Sequence, residues 1–230
     1  MYKQSIGLIG RFGAYATLDF YRRILKVFAS ESERNFPHIY MENDFTMPSR
    51  TKALLDGTDY NQVVLQISAS LKKMLDVGAD YIVLVCRTAH AFLEDAFRIV
   101  PEAENKVLHI VKILGNELKA KCVKKVAVIA AEGKLKNHVY SKYCNLVNCI
   151  EYIGGGDFKD IRYFIETIKR NEMNENVCHE FKNFLDRHEC KDIVLGCTEF
   201  PVLVDYINSV DKNLLQEFKF WDPLEVTLKK

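Results

Sequence analysis

Two cysteines close two near-copies of one short apolar run, Tyr81-Ile-Val-Leu-Val-Cys86 and Asp192-Ile-Val-Leu-Gly-Cys197. Ile82-Val83-Leu84 overlays Ile193-Val194-Leu195, and the copies stand about half a chain length apart. That spacing suits a duplicated unit whose thiols face one pocket. Each thiol comes directly after a strand and before a helix start, where backbone N–H groups and the helix dipole favour a thiolate. Two opposed thiols suit one reaction in particular. A thiolate takes the α-hydrogen of an amino acid from one face, and a thiol returns a proton to the other. No cofactor is required if N–H and hydroxyl donors hold the developing enolate-like oxygens.

The elements that must carry these thiols can be read from periodicity. Apolar strands are expected near 5–9, 38–42, 81–85, 106–110, 124–131, 149–152 and 192–195. Helices are expected near 17–29, 61–77, from 89, and over 112–121, 136–146, 160–170 and 176–188. On the first of these, Leu18, Tyr21, Ile24, Leu25 and Phe28 share a face. Short continuous apolar strands alternating with amphipathic helices predict an α/β fold of two similar domains. Each would hold a mostly parallel sheet flanked by helices, related by a pseudo-twofold axis. The expected domains are residues 1–115 plus 209–230, and residues 116–208. Ligands of such sheets collect at the carboxyl ends of the strands, which places the site in the cleft between the halves.

Composition narrows the partners. The chain has 230 residues and a formal charge of +1, so no overall field points to nucleic acid or an anionic membrane. No run approaches the ~20 apolar residues of a membrane span. The opening residues read as a first strand and not as a secretory signal, so a soluble cytoplasmic protein is expected. Seven cysteines without CxxC spacing suit a reducing compartment. His179, His188 and Cys190 form no ligand pattern, no metal is assigned, and the Gly7, Gly10, Gly13 spacing lacks the G-x-G-x-x-G order of a dinucleotide turn.

Four segments together resemble the aspartate/glutamate racemase family, the cofactor-independent two-cysteine racemases. They are Gly10-Arg-Phe-Gly13 with Ala16-Thr17, Met47-Pro-Ser-Arg50-Thr51, Cys86-Arg-Thr-Ala-His90, and Gly196-Cys-Thr-Glu199. The resemblance runs through nearly the whole length. It implies that Cys86 and Cys197 are the acid/base pair and that Arg50 binds a substrate carboxylate through a bidentate contact. Thr88 and Thr198 would contact the carboxylate or amino group, and Glu199 would accept from the substrate ammonium or a neighbouring thiol. It also implies a small amino-acid substrate, aspartate or glutamate first, no cofactor, and a homodimer.

The chain departs from the pattern at three places. Arg87 stands where the family has Asn, Arg11 and Phe12 alter the Gly-rich turn, and Ala130-Ala-Glu-Gly-Lys134 replaces Ala-Thr-x-Gly-Thr. Asn to Arg exchanges a compact donor and acceptor for a larger cation. Either Arg87 or Arg11 receives a substrate carboxylate from a new direction, or the pocket takes a different amino acid. A related thiol isomerase or lyase, and an inactive amino-acid-binding homologue, are the alternative readings.

Overall fold

In the computed structural model, residues 4–29, 32–131, 139–144 and 150–229 are described. The first sheet holds three parallel strands in the order β2-β1-β3: β1 Ser5–Ile9, β2 His38–Glu42 and β3 Tyr81–Leu84. The second holds four in the order β5-β4-β6-β7: β4 Val126–Ile129, β5 Ile150–Ile153, β6 Asp192–Leu195 and β7 Lys219–Trp221. Helices flank both. The expected α/β class with two parallel sheets is what the chain adopts.

The two sheets repeat one plan. In each, the cysteine-bearing strand lies beside the strand that opens the unit, with Ile9 opposite Leu84 and Ile129 opposite Leu195. The expected strand at 106–110 shrinks to one parallel bridge, Ile82 with Val107, at the position that β7 fills in the second sheet.

Turn chemistry explains the strand entries. The helix Tyr60–Asp76 buries Val63, Val64, Ile67, Leu71 and Met74 along one stripe. It stops where Gly78, at φ 78°, lets the backbone turn left-handed, and Gly78 and Ala79 donate to the carbonyls of Leu75 and Met74. The chain then enters β3 two residues later.

Helix α1 (Ala14–Val27) keeps part of its expected face, with Ile24 buried and Tyr21 and Phe28 packed against the core. Thr17, Phe20 and Ile24 point inward, whereas Leu18 is 54% exposed. The reason is tertiary. Helix α1 lies against the second half, contacting the helices Phe158–Lys169, Glu199–Val210 and Pro223–Leu228. Phe20 and Ile24 are the residues that reach the core shared with that half.

That core does not follow the sheet boundary. Leu8, Val83 and Val85 pack into the cluster that holds β4, β6 and their helices, and Ile9, Ile82, Leu84 and Cys86 face a second cluster with Val63, Ile67 and Leu71. Strand pleating produces this split, since alternate residues face opposite sides. The expected return of 209–230 to the first half is corrected for its strand. Lys219–Trp221 extends the second sheet, because the apolar Phe220 and Trp221 register against Ile193 and Val194, and Trp221 Nε1 donates to Asp192 Oδ1 at 2.8 Å. Only the final helix, Pro223–Leu228, packs back on Ile110–Ala120 and α1.

Part of the expected helix at 136–146 and the altered motif at 132–134 lie outside the described residues, as does Cys149. The helix Val139–Cys144 is the described remainder. Among the described residues, no helix is long and apolar enough to cross a membrane, and no group of three or more His, Cys, Asp or Glu is placed to hold a metal ion.

Candidate active site

Cys86 and Cys197 occupy the same structural position in their sheets, the second residue past the last strand residue. The hydrogen bonding that precedes each is duplicated. Val85 N–H donates to Ile9 O at 2.9 Å, and Gly196 N–H donates to Ile129 O at 2.7 Å. Both sulfurs therefore emerge at the carboxyl edge of a parallel sheet, where parallel strands leave room for ligands. Both residues are buried, Cys86 at 6% and Cys197 at 3% exposure, and they belong to different packed clusters.

The environment of Cys197 is built from backbone. Ala131 N–H points at its Sγ from 3.2 Å. A Cβ on Gly196 would come within 2.5 Å of Ala130 Cβ and 2.6 Å of Ile129 O, so only glycine allows β6 this close to the end of β4. Gly196→Ala is accordingly expected to displace Cys197 and cut turnover by ~10²-fold, the penalty of roughly 1 Å of misplacement. Steady-state kinetics on the folded variant, verified by circular dichroism, measures it.

Cys86 is held from behind. His90 Nδ1 lies 2.9 Å from the Cys86 carbonyl; since a carbonyl only accepts, that nitrogen carries the proton. His90 thus steadies the backbone of Cys86 and the 3-10 turn Thr88–Phe92. His109 stacks edge-on with His90 at 4.9 Å between centroids, and its Nδ1 accepts from Lys112 N at the start of the helix Ile110–Ala120. Burial, and then the neighbouring His90, push the His109 pKa down to about 2.

A histidine kept neutral when folded costs stability in acid. The unfolded chain takes up a proton near pH 6.5 and the native chain does not, so stability is complete above about pH 6.5 and falls as pH drops below it. The loss is of the order of 2 kcal/mol by pH 5. Urea titrations at pH 7.5 and pH 5.0 should show the midpoint falling, and His109→Asn, which retains a cap, should flatten that fall.

Arg50 is positioned by a short helix that apolar periodicity did not reveal, Arg50–Asp56, whose N-cap Ser49 accepts from Lys52 N. Its Nη2 donates to Phe12 O at 3.2 Å and its Nη1 to Pro48 O at 3.1 Å, with the guanidinium 5.2 Å from the centre of the Phe12 ring. Among the described residues it has no carboxylate partner, and its Nε is buried without a hydrogen bond. Arg50 therefore keeps donors for a ligand.

Arg11 and Arg87 are different, because each already meets a carboxylate of the protein. Arg11 donates to Asp44 O and Oδ2, Gln66 O and Oε1, Ser70 Oγ and Thr46 Oγ1, so every nitrogen of its head is engaged within the first half. Arg87 has a fully buried side chain and pairs through Nη2 with Asp222 Oδ1. The physical reason is common to both: a guanidinium enters a protein interior only with a counter-charge, and here the protein supplies it.

Thr88, Thr198 and Glu199 are buried, and Thr198 Oγ1 donates to Glu199 Oε2 at 3.3 Å. Glu199 reaches across the halves, since a Cβ on Gly13 would lie 3.5 Å from its Oε1. The Phe12-Gly13 turn thus stands between Arg50 on one side and the Cys197-Thr198-Glu199 segment on the other. Asp222 and the Ala131 N–H were missed by sequence reading. The Asp222-Pro223 pair, a helix-start signature, was the available signal for Asp222.

The sequence profile of the Asp/Glu/hydantoin racemase family matches residues 7–219. The chain belongs to that family. Its members are racemases, a class of isomerase. The racemase chain is also 23% identical over 211 residues to the broad specificity amino-acid racemase RacX of Bacillus subtilis (strain 168), covering 89% of both chains. Among solved structures it is similar to the Picrophilus torridus aspartate racemase, with a TM-score of 0.78 at 19% identity, covering 96% of this chain and 89% of that one. Glutamate racemase from Francisella tularensis, in complex with D-glutamate, gives 0.66 at 18% identity, covering 98% and 78%. These likenesses show that the racemase shares their fold.

Proposed function

We propose that this protein is a cofactor-independent amino-acid racemase in which Cys86 and Cys197 exchange protons with the α-carbon from opposite faces. The observation that carries the reading is the matched placement of the two cysteines, each two residues past the end of equivalent parallel strands and behind the same backbone hydrogen bond.

In one direction a thiolate accepts the α-proton, and the C–H electron pair stays on carbon as a planar carbanion delocalised into the carboxylate. The opposing thiol then gives its proton to the other face, leaving the two sulfurs with exchanged protonation. Arg50 takes the carboxylate and lowers the cost of the charge spreading into it. Glu199, bonded to Thr198, accepts from the ammonium, Thr88 adds a hydroxyl donor, and Thr198 adds its backbone N–H. Because both sulfurs are buried, substrate enters when the halves part and reacts once water is excluded.

The commitment of Arg11 and Arg87 bears on the substrate. Aspartate or glutamate carries two carboxylates, and two of the three candidate cations already serve carboxylates of the protein itself. We read the substrate as an amino acid with a single carboxylate, a choice that the broad specificity of the Bacillus relative accommodates. A chiral assay across the proteinogenic amino acids without added cofactor tests this. Faster turnover of monocarboxylates is the expected result, and aspartate or glutamate as the best substrate would overturn it. A homodimer acting in the cytoplasm belongs to the same reading, and analytical ultracentrifugation checks the assembly.

The binding-protein alternative is separated by the same chiral assay, since amino-acid binding without racemisation would favour it. Covalent attack by one cysteine, as in a thiol lyase, is separated by heavy water, where racemisation places deuterium on the α-carbon of both enantiomers.

A further inference from the structure

We propose that the buried Arg87–Asp222 ion pair is the strut that sets one reacting cysteine against the other, making Arg87 and Asp222 positioning residues for the racemisation proposed above. The inference rests on that reading for its catalytic part and on geometry alone for its mechanical part.

Arg87 is the residue after Cys86. Asp222 follows β7, whose Lys219, Phe220 and Trp221 register against Asp192, Ile193 and Val194 of β6, and β6 leads directly to Cys197. The connection from one cysteine to the other therefore runs through backbone and ladder hydrogen bonds, with a single ion pair completing it. Asp222 is fixed before it meets Arg87. Its Oδ1 accepts from Leu224 N at 2.9 Å as the cap of the helix Pro223–Leu228, and Arg23 Nη1 lies 3.8 Å from its Oδ2. Below it, Trp221 is held by Asp192.

Arg87 is built for this pair at a cost. Its side chain has no exposure, and its Nε and Nη1 are buried without a partner among the described residues. An apolar side chain would fill the same space without stranding donors, so packing alone does not account for arginine here. A charged pair specifies one relative placement, whereas apolar packing tolerates several. The residue after the first cysteine thereby sits at the joint between the halves.

The test uses the full chain with Arg87→Lys, Arg87→Gln, Asp222→Asn, which can still cap the helix, and the neutral pair Arg87→Met with Asp222→Asn. Hydrogen–deuterium exchange by mass spectrometry reads the strut without reference to activity. Asp222→Asn should speed exchange at 86–92, and Arg87→Gln should speed it at 222–228; a change confined to the substituted side overturns the strut. Kinetics on the amino acid that the unaltered protein racemises reads positioning. We expect kcat to fall by ~10²-fold with KM nearly constant, and Arg87→Lys to recover part of the loss. Unchanged kcat in the folded variants, or full kcat in the neutral pair, overturns the positioning role. If Arg87→Gln does not fold, Arg87→Lys and Asp222→Asn decide both readouts. If the unaltered protein racemises no amino acid, the function proposed above fails, and the exchange data still decide the strut.

Discussion

Replacing either Cys86 or Cys197 by serine should lower racemisation by about 10²–10⁴-fold, the range that a positioned acid or base contributes. The two losses should be of similar size. Serine conserves volume and hydrogen bonding but moves the group far from a thiol's ordinary pKa of about 8.5, so the hydroxyl neither accepts nor returns an α-proton near neutral pH. A two-base reaction needs both groups in every turnover, whichever enantiomer is supplied. Chiral chromatography of each variant, started from each enantiomer in heavy water, supplies the measurement. If one serine variant keeps full activity in both directions, the two-thiol mechanism is wrong, even if the other variant is inactive.

The second large effect is expected at Arg50. Unlike Arg11 and Arg87 it has no carboxylate partner among the described residues, so Arg50→Ala should raise KM by roughly 10–100-fold, matching the ~1.5–3 kcal/mol of a hydrogen bond to a charged group. Arg50→Lys should recover only part of this, because an ammonium cannot reproduce the planar bidentate fork. Arg50 also braces the first turn through Phe12 O, so the thermal midpoint must be followed in parallel. A KM that stays constant in a variant of unchanged stability would remove Arg50 from the substrate site. With Gly196→Ala and the acid sensitivity tied to His109, these results test the site from its reacting atoms outward to its supports.

The doubling of the strand, the parallel α/β class and the location of both cysteines at strand ends were legible before any coordinates. Each is written locally: apolar runs of four or five residues, glycine at a helix end, and a repeated motif encode element type through periods of 2 and 3.6. Strand β2 and strand β6 match their expected limits for that reason. Element faces were less legible. Leu18 and Phe20 are both apolar, and only the arrival of the second half beside α1 decides that Phe20 is buried and Leu18 exposed.

The same division separates the site residues. Amino-acid type and spacing nominate Cys86, Cys197, Thr198 and Glu199, and the family resemblance adds Arg50. Which arginines remain available could not be read that way, because a buried guanidinium takes its meaning from its counter-ion. The partner of Arg87 lies 135 residues away, on a three-residue strand too short to show a period. The partners of Arg11 lie on a loop and on the flank of the helix Tyr60–Asp76, 33 to 59 residues distant. Sequence by itself determined which thiols the chain carries and where along the strands they sit. Tertiary structure alone decided which charges the protein spends on itself, since desolvation and pairing are properties of neighbours in space.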